Sequence, residues 1–210
     1  MKVTIKDENN IPKLMKNLKQ LKGSTIKVGV PDGDKADIAA VHEFGATITA
    51  KKKYLAIPLQ RKYKGRSPKE FSDLFFVPSK NGNGGTLCKT KGKGKVEACY
   101  WLTKSVKIPE RSFLRACIDF NQKYNSYVSS LIIATKEIFA EKQIDNWLES
   151  HNDPDPMLNA LGLQFRGYVQ KYIRDLSSPA NAPLTKAVKG SGNPLIDQGH
   201  LVGSIEYEIK

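Results

Sequence analysis

Apolar and small residues recur in alternating steps of four and three over one long stretch of the chain: Phe113, Cys117, Phe120, Tyr124, Tyr127, Leu131, Ala134 and Ile138. That spacing is a helical seam rather than a strand pattern. No Pro or Gly interrupts it until after Ser150, and Pro109 and Glu110 suit the first turn of a helix. The pattern predicts a helix from Pro109 to Ser150, which at 1.5 Å per residue would be roughly 60 Å long. Three shorter helices are predicted. The first runs from Ile11 to Leu21, with Ile11, Leu14, Leu18 and Leu21 inward; the second runs from Ala36 to Phe44; the third runs from Pro156 to Leu176, with Asp155 as its N-cap. Alternating, β-branched runs predict strands near 24–30, 54–58, 75–77, 86–88, 96–102 and 205–209. Residues 177–194, rich in Pro, Gly and Ser, read as loop.

These elements predict a single α+β domain over residues 1–210. In it a small antiparallel sheet, drawing on the strands near 24–30, 54–58, 96–103 and 205–209, packs on one long helix. Residues 60–107 form a β-hairpin insertion. Two glycine-rich tracts in that insertion, Asn81 to Gly85 and Lys91 to Lys95, read as mobile tips.

Charge changes the picture in one place. The net charge is +13, and residues 51–107 hold 15 Lys and Arg against 3 Asp and Glu, so this segment carries +12 of it. Such asymmetry points to a polyanion or an acidic protein surface as partner. Lys80, Lys89, Lys91, Lys93 and Lys95 are the candidate contacts, because lysines grip phosphate as point charges without reading bases. No run of about 20 apolar residues occurs, so no membrane span is expected. The first residues lack the apolar centre of a signal peptide, which points to synthesis in a cytoplasm. Cys88, Cys99 and Cys117, odd in number and widely spaced, read as reduced thiols rather than as a disulfide framework or a zinc site.

Candidate chemistry is sparse. His42-Glu43 would need a second His at position 46 to bind zinc on one helix face, and that position is Ala. A phosphate loop ending at Lys95 would need Gly at 89 and Ser or Thr at 96, where Lys and Val stand. No nucleophile, base or carboxylate pair gathers locally, so no catalytic residue, cofactor or metal is expected. His42-Glu43 at a helix end with Phe44 turned inward is the expected arrangement.

Three stretches, taken in order, resemble a known family. They are Ile26 to Ile48, which includes His42-Glu43-Phe44-Gly45; Ile108-Pro109-Glu110-Arg111-Ser112-Phe113-Leu114; and Pro194 to Ile205, which includes Leu195-Ile196-Asp197-Gln198-Gly199. Together they resemble the tail-completion and neck proteins of tailed bacteriophages, the minor tail protein Z-like and virion-morphogenesis group. Gln198 and His200 stand where that family often has Thr and Arg. The resemblance implies a virion structural protein at the head–tail junction and no enzyme. Its partners would be copies of itself in a ring, expected to be hexameric, with tail terminator and head-completion or connector proteins on either side. Non-specific contact with genomic DNA is expected as well. The motif residues His42, Glu43, Phe44, Gly45, Pro109, Arg111, Phe113, Leu114, Asp197 and Gly199 would then be structural. The alternative is a sequence-independent nucleic-acid-binding protein.

Overall fold

The computed structural model describes residues 11–92, 94–118, 142–147 and 153–210. It is an α+β protein whose chain divides into two compact units, each assembled from separated segments. The first unit takes residues up to Gly33, Phe113–Ile173 and Val202–Lys210; the second takes Asp34–Ser112 and Arg174–Leu201.

In the first unit, helix α1 (Ile11–Gly23) leads into strand β1 (Ile26–Gly29). The last strand of the chain, β8 (Glu206–Ile209), pairs antiparallel with β1, Ile26 opposite Ile209 and Gly29 opposite Glu206. This small sheet packs on the long helix α4 (Asp155–Asp175), where the apolar period of the sequence is realised. Trp147, Met157, Leu158 and Leu161 form the core, with Leu21, Ile26, Phe165 and Ile209 packed against it. Gly162 lies mid-helix, where glycine costs about 1 kcal/mol relative to Ala. The reason is the Tyr207 ring, which occupies the space a Cβ at 162 would need. Arg166 and Gln170 of the same helix donate to the carbonyls of Ile205 (2.8 Å) and Val202 (3.1 Å), fixing the chain's return to β8.

Several expectations change here. On α1 the inward positions are Leu14, Asn17 and Leu21, while Ile11 and Leu18 are exposed, so the buried stripe is rotated from the one the sequence predicts. The Asp153 carboxylate accepts from the Asp155 amide at 3.0 Å, which leaves Asp155 as the first helical residue rather than the cap. Helix does not begin at Pro109. Residues Pro109 to Leu114 are irregular, and helix α3 spans only Arg115–Ile118 among the described residues. Most of the predicted long helix, including Phe120, Tyr124, Tyr127, Leu131, Ala134 and Ile138, lies outside the described residues; 142–147 is helical.

The second unit opens with α2 (Asp34–Phe44), followed by β2 (Ala46–Thr49) and β3 (Leu55–Pro58). Three strands then form a meander: β4 (Leu74–Pro78), β5 (Gly84–Lys91) and β6 (Lys95–Thr103). They join β3 in an antiparallel sheet of order β3-β6-β5-β4. Strand β7 (Ser105–Ile108) pairs with β2 as a separate ribbon, which the sequence pattern did not predict. The strands predicted to share one sheet are therefore divided between two: β1 pairs with β8 in the first unit, and β3 pairs with β6 in the second.

The core of the four-stranded sheet is Tyr63, Cys99 and Tyr100, with Phe71, Leu74 and Leu87 against it. Leu87 faces Tyr100 and Cys88 faces Ala98, so Cys99 is the extra residue of a β-bulge. The bulge lets two consecutive residues, Cys99 and Tyr100, both be buried. All three cysteines are free and buried. Gly84 and Gly85 belong to β5 and are buried, while 81–83 are the exposed turn between β4 and β5, so the glycine tract is turn only in its first part. A Cβ at Gly84 would strike the Leu102 carbonyl, and one at Gly85 would strike the Phe76 ring. The predicted loop 177–194 contains a helix, α5 (Pro183–Lys189), with Pro183 in its first turn and Gly190 ending it at φ 75°. A short helix, α6 (His200–Gly203), precedes the last strand.

Candidate functional site

Parts of the three stretches that carry the resemblance, 42–45, 108–112 and 194–197, meet in the second unit through a polar clasp. It begins at the end of α2. The backbone carbonyl of His42 accepts from the Arg111 amide at 2.7 Å. Next to it, the buried Glu43 carboxylate accepts from the Ser112 hydroxyl at 2.7 Å. Gly45, at φ 71°, lets the Ile108–Glu110 backbone cross close by, since a Cβ there would lie 2.8 Å from the Glu110 nitrogen. This crossing explains why Pro109 starts no helix. The segment after β7 is an extended strap tied to α2 by its own backbone.

From the strap, the buried Arg111 guanidinium reaches the loop before α5. Its Nε donates to the Pro179 carbonyl (2.8 Å), and an Nη donates to the Ala180 carbonyl and the Asn181 side-chain oxygen (both 3.3 Å). Asn181 passes the chain of bonds on by donating to the Asn193 carbonyl at 3.2 Å. The Asn193 side chain then accepts from the amides of Leu195 (2.8 Å) and Ile196 (2.9 Å). Lys189 of α5 donates to the carbonyls of Asn193 and Pro194. Asp197 pairs with Lys64. Burial lowers the pKa of Arg111. It also lowers that of Lys189, against the opposing pull of Asp197.

The His42 side chain is left out of this hydrogen bonding at one atom. Its Nδ1 is buried and has no hydrogen-bond partner among the described residues. Burial first, then the charges of Arg111 and Lys189, holds its pKa below 6.5, so the ring is neutral at pH 7. A depressed folded-state pKa means that the unfolded chain binds the proton first as pH falls. The stability this neutral ring confers is complete above the unfolded value of about 6.5 and is lost as pH drops through it. Melting temperature measured from pH 7.5 down to 5.5 is expected to fall, and His42→Asn is expected to flatten that slope.

Phe44 does not turn inward: it is 63% exposed. Ala39 and Glu43, four apart, take the inward positions of α2, which rotates Phe44 to the outside. Phe113 is fully buried, Leu114 is half-buried, and Gly199 sits at φ 81° in the turn leading into α6. Sequence reading missed Ser112, Asn181 and Asn193 as parts of the clasp. The available signal was Asn followed by Pro at 193–194, a pattern in which the Asn side chain binds backbone two residues on.

The lysines of the insertion are not equivalent. Lys89 pairs with Asp73 at 2.6 Å and holds that carboxyl below its ordinary range. Lys62 similarly lowers Glu97. Lys91 and Lys95 are exposed and directly opposite each other at the end of the β5–β6 hairpin. Lys80 is exposed in the β4–β5 turn, and Lys93 lies outside the described residues.

Among the described residues, no group of three or more His, Cys, Asp or Glu is placed to hold a metal ion. No described helix is long and apolar enough to cross a membrane. No family model, no curated protein and no solved structure matches this chain.

Proposed function

We propose that this protein is a structural component of a tailed-phage virion, completing the top of the tail and helping to join it to the DNA-filled head, with no catalytic role. The supporting observation is the clasp. Three motifs far apart in sequence, weak one by one, are tied together through Glu43–Ser112, Arg111–Asn181 and Asn193–Ile196. Buried polar residues that hold one architecture explain why such motifs would recur without any reaction to serve. In this reading the protein forms a homo-oligomeric ring in the virion. Tail terminator and head-completion or connector proteins are its neighbours, and the basic hairpin faces genomic DNA or an acidic neighbour. The second reading, sequence-independent nucleic-acid binding, is favoured by the juxtaposed Lys91 and Lys95.

Mass spectrometry of purified virions tests the first reading; absence of peptides from this chain would sink it. Changing Lys89, Lys91, Lys93 and Lys95 together to Gln separates the two. Melting temperature should stay nearly unchanged, since solvated charges contribute little to stability. Head–tail joining should fall, more so at high salt. A DNA affinity that drops steeply with salt in the wild type and loses most of that slope in the variant would favour the second reading.

A further inference from the structure

Strand β4 lies at the edge of the four-stranded sheet, with β5 on one side and no strand among the described residues on the other. Its backbone alternates between these two sides. The Ser79 amide donates to the Gly84 carbonyl at 3.0 Å, in the register that sets Pro78 opposite Gly85. Stepping back by two from Ser79, Val77 and Phe75 also bond β5, so Leu74, Phe76 and Pro78 turn their backbone groups outward. Among the described residues, no backbone bond is made to the outward groups of Leu74 or Phe76. Pro78 sits where its missing N–H leaves the ladder to β5 intact. Phe75, Phe76, Val77 and Pro78 are all exposed, and the strand holds no charged residue. Edges kept apart from other chains carry a lysine, an inward charge or a bulge; β4 has no charge, and its register with β5 is unbroken.

We propose that β4 pairs with β4 of a second copy, antiparallel about Phe76, so that one continuous sheet runs through both copies. Unpaired backbone along an edge calls for an extended strand as its occupant. The side chains select a second copy. Setting Phe76 opposite Phe76 opposes outward groups to outward groups over the whole strand. The Phe76 backbones then exchange N–H to carbonyl bonds, and each Leu74 amide reaches the Pro78 carbonyl of the other copy. On one face, Phe75 of each copy lies beside Val77 of the other. On the opposite face Phe76 meets Phe76, and Leu74 meets Pro78. Every cross-strand pair is apolar, and aromatic pairs with aromatic or β-branched partners are the favourable kind. The strand ends complement each other as well: Asp73 precedes β4 and Lys80 follows it, and this register sets Asp73 of one copy against Ser79 of the other, next to its Lys80. The contact is isologous and closes as a pair, so it stands independently of the ring proposed above.

The test is sedimentation velocity on the full-length protein. Wild type is expected to form a dimer of the 23.4 kDa chain. Phe76→Lys and Phe76→Glu each set like charges against each other at the axis, and each is expected to weaken the dimer roughly 30-fold or more, the scale of a truncated hot spot. Their equimolar mixture is expected to restore a dimer, because opposite charges then face each other; that restoration also shows both variants to be folded. Amide hydrogen exchange reads the backbone directly. When wild type is diluted to the monomer, the Leu74 and Phe76 amides should lose protection, while those of Phe75 and Val77, bonded to β5, keep theirs. A wild type that stays monomeric at every concentration overturns the proposal. So does a mixture that associates no better than either variant alone, or a dimer that both variants leave unchanged. A dimer of this kind from a chain absent from virions would keep the contact and sink the virion reading; a chain found in virions yet monomeric in solution would do the reverse.

Discussion

Arg111→Ala is expected to lower stability by at least about 3 kcal/mol, roughly 6–12 °C in melting temperature for a chain of this length. The Arg111 side chain is buried and donates to three acceptors on the loop before α5. Removing it leaves those acceptors without their charged donor in a site that water reaches poorly, and it opens a cavity. Arg111→Lys should recover little of the loss. A single ammonium is a compact point charge and cannot reproduce the planar fork that spans Pro179, Ala180 and Asn181. Thermal unfolding of both variants measures this, and near-wild-type stability of Arg111→Lys would show that charge rather than fork geometry holds the loop. Because the clasp organises the second unit, Arg111→Ala should also abolish assembly.

The second large effect is expected at Gly45. Its φ of 71° already disfavours any side chain, by about 1–2 kcal/mol. The decisive obstacle is the strap. A Cβ there meets the Glu110 nitrogen at 2.8 Å, the Ile108 carbonyl oxygen at 3.1 Å and the Glu110 Cα at 3.2 Å, all backbone atoms that no rotamer change can move. Gly45→Ala must push the strap from α2, lengthening the 2.7 Å bond from Arg111 to the His42 carbonyl. A loss of about 3 kcal/mol or more is expected, with Gly45→Val worse. By contrast, Gly167→Ala, with nothing within 4 Å of the added carbon and a place inside α4, should be neutral or slightly stabilising. A chemical-denaturation series on the three variants would show whether the crossing is as tight as the geometry requires.

Local pattern made some elements readable and not others. Helix α4 and the β4–β5–β6 meander follow their apolar periods, so their positions could be read directly. Where a residue's neighbours come from distant segments, periodicity gives out. Pro109 has the local signature of a helix start, but the backbone of α2 captures the following residues before a helical turn can form. Phe44 looked like a core aromatic because nothing local reveals that Glu43 has a buried hydroxyl partner 69 residues away. Gly84 and Gly85 looked like a mobile tip because the Leu102 carbonyl and the Phe76 ring that require them come from neighbouring strands. The motif residues were identifiable as a group, whereas their shared bonding was not, since the acceptors at 179–181 are mostly backbone carbonyls.

The clasp also sets a timetable for synthesis. Arg111 finds its acceptors 68 to 70 residues later in the chain, and Asn181 needs Asn193. At about 5–20 residues per second, a ribosome would hold the strap unsatisfied for several seconds before those acceptors emerge. Loop closure over such separations also slows the search once they do. Neither unit is a contiguous piece of chain, so each must hold early segments unfinished until partners made much later arrive to close its core.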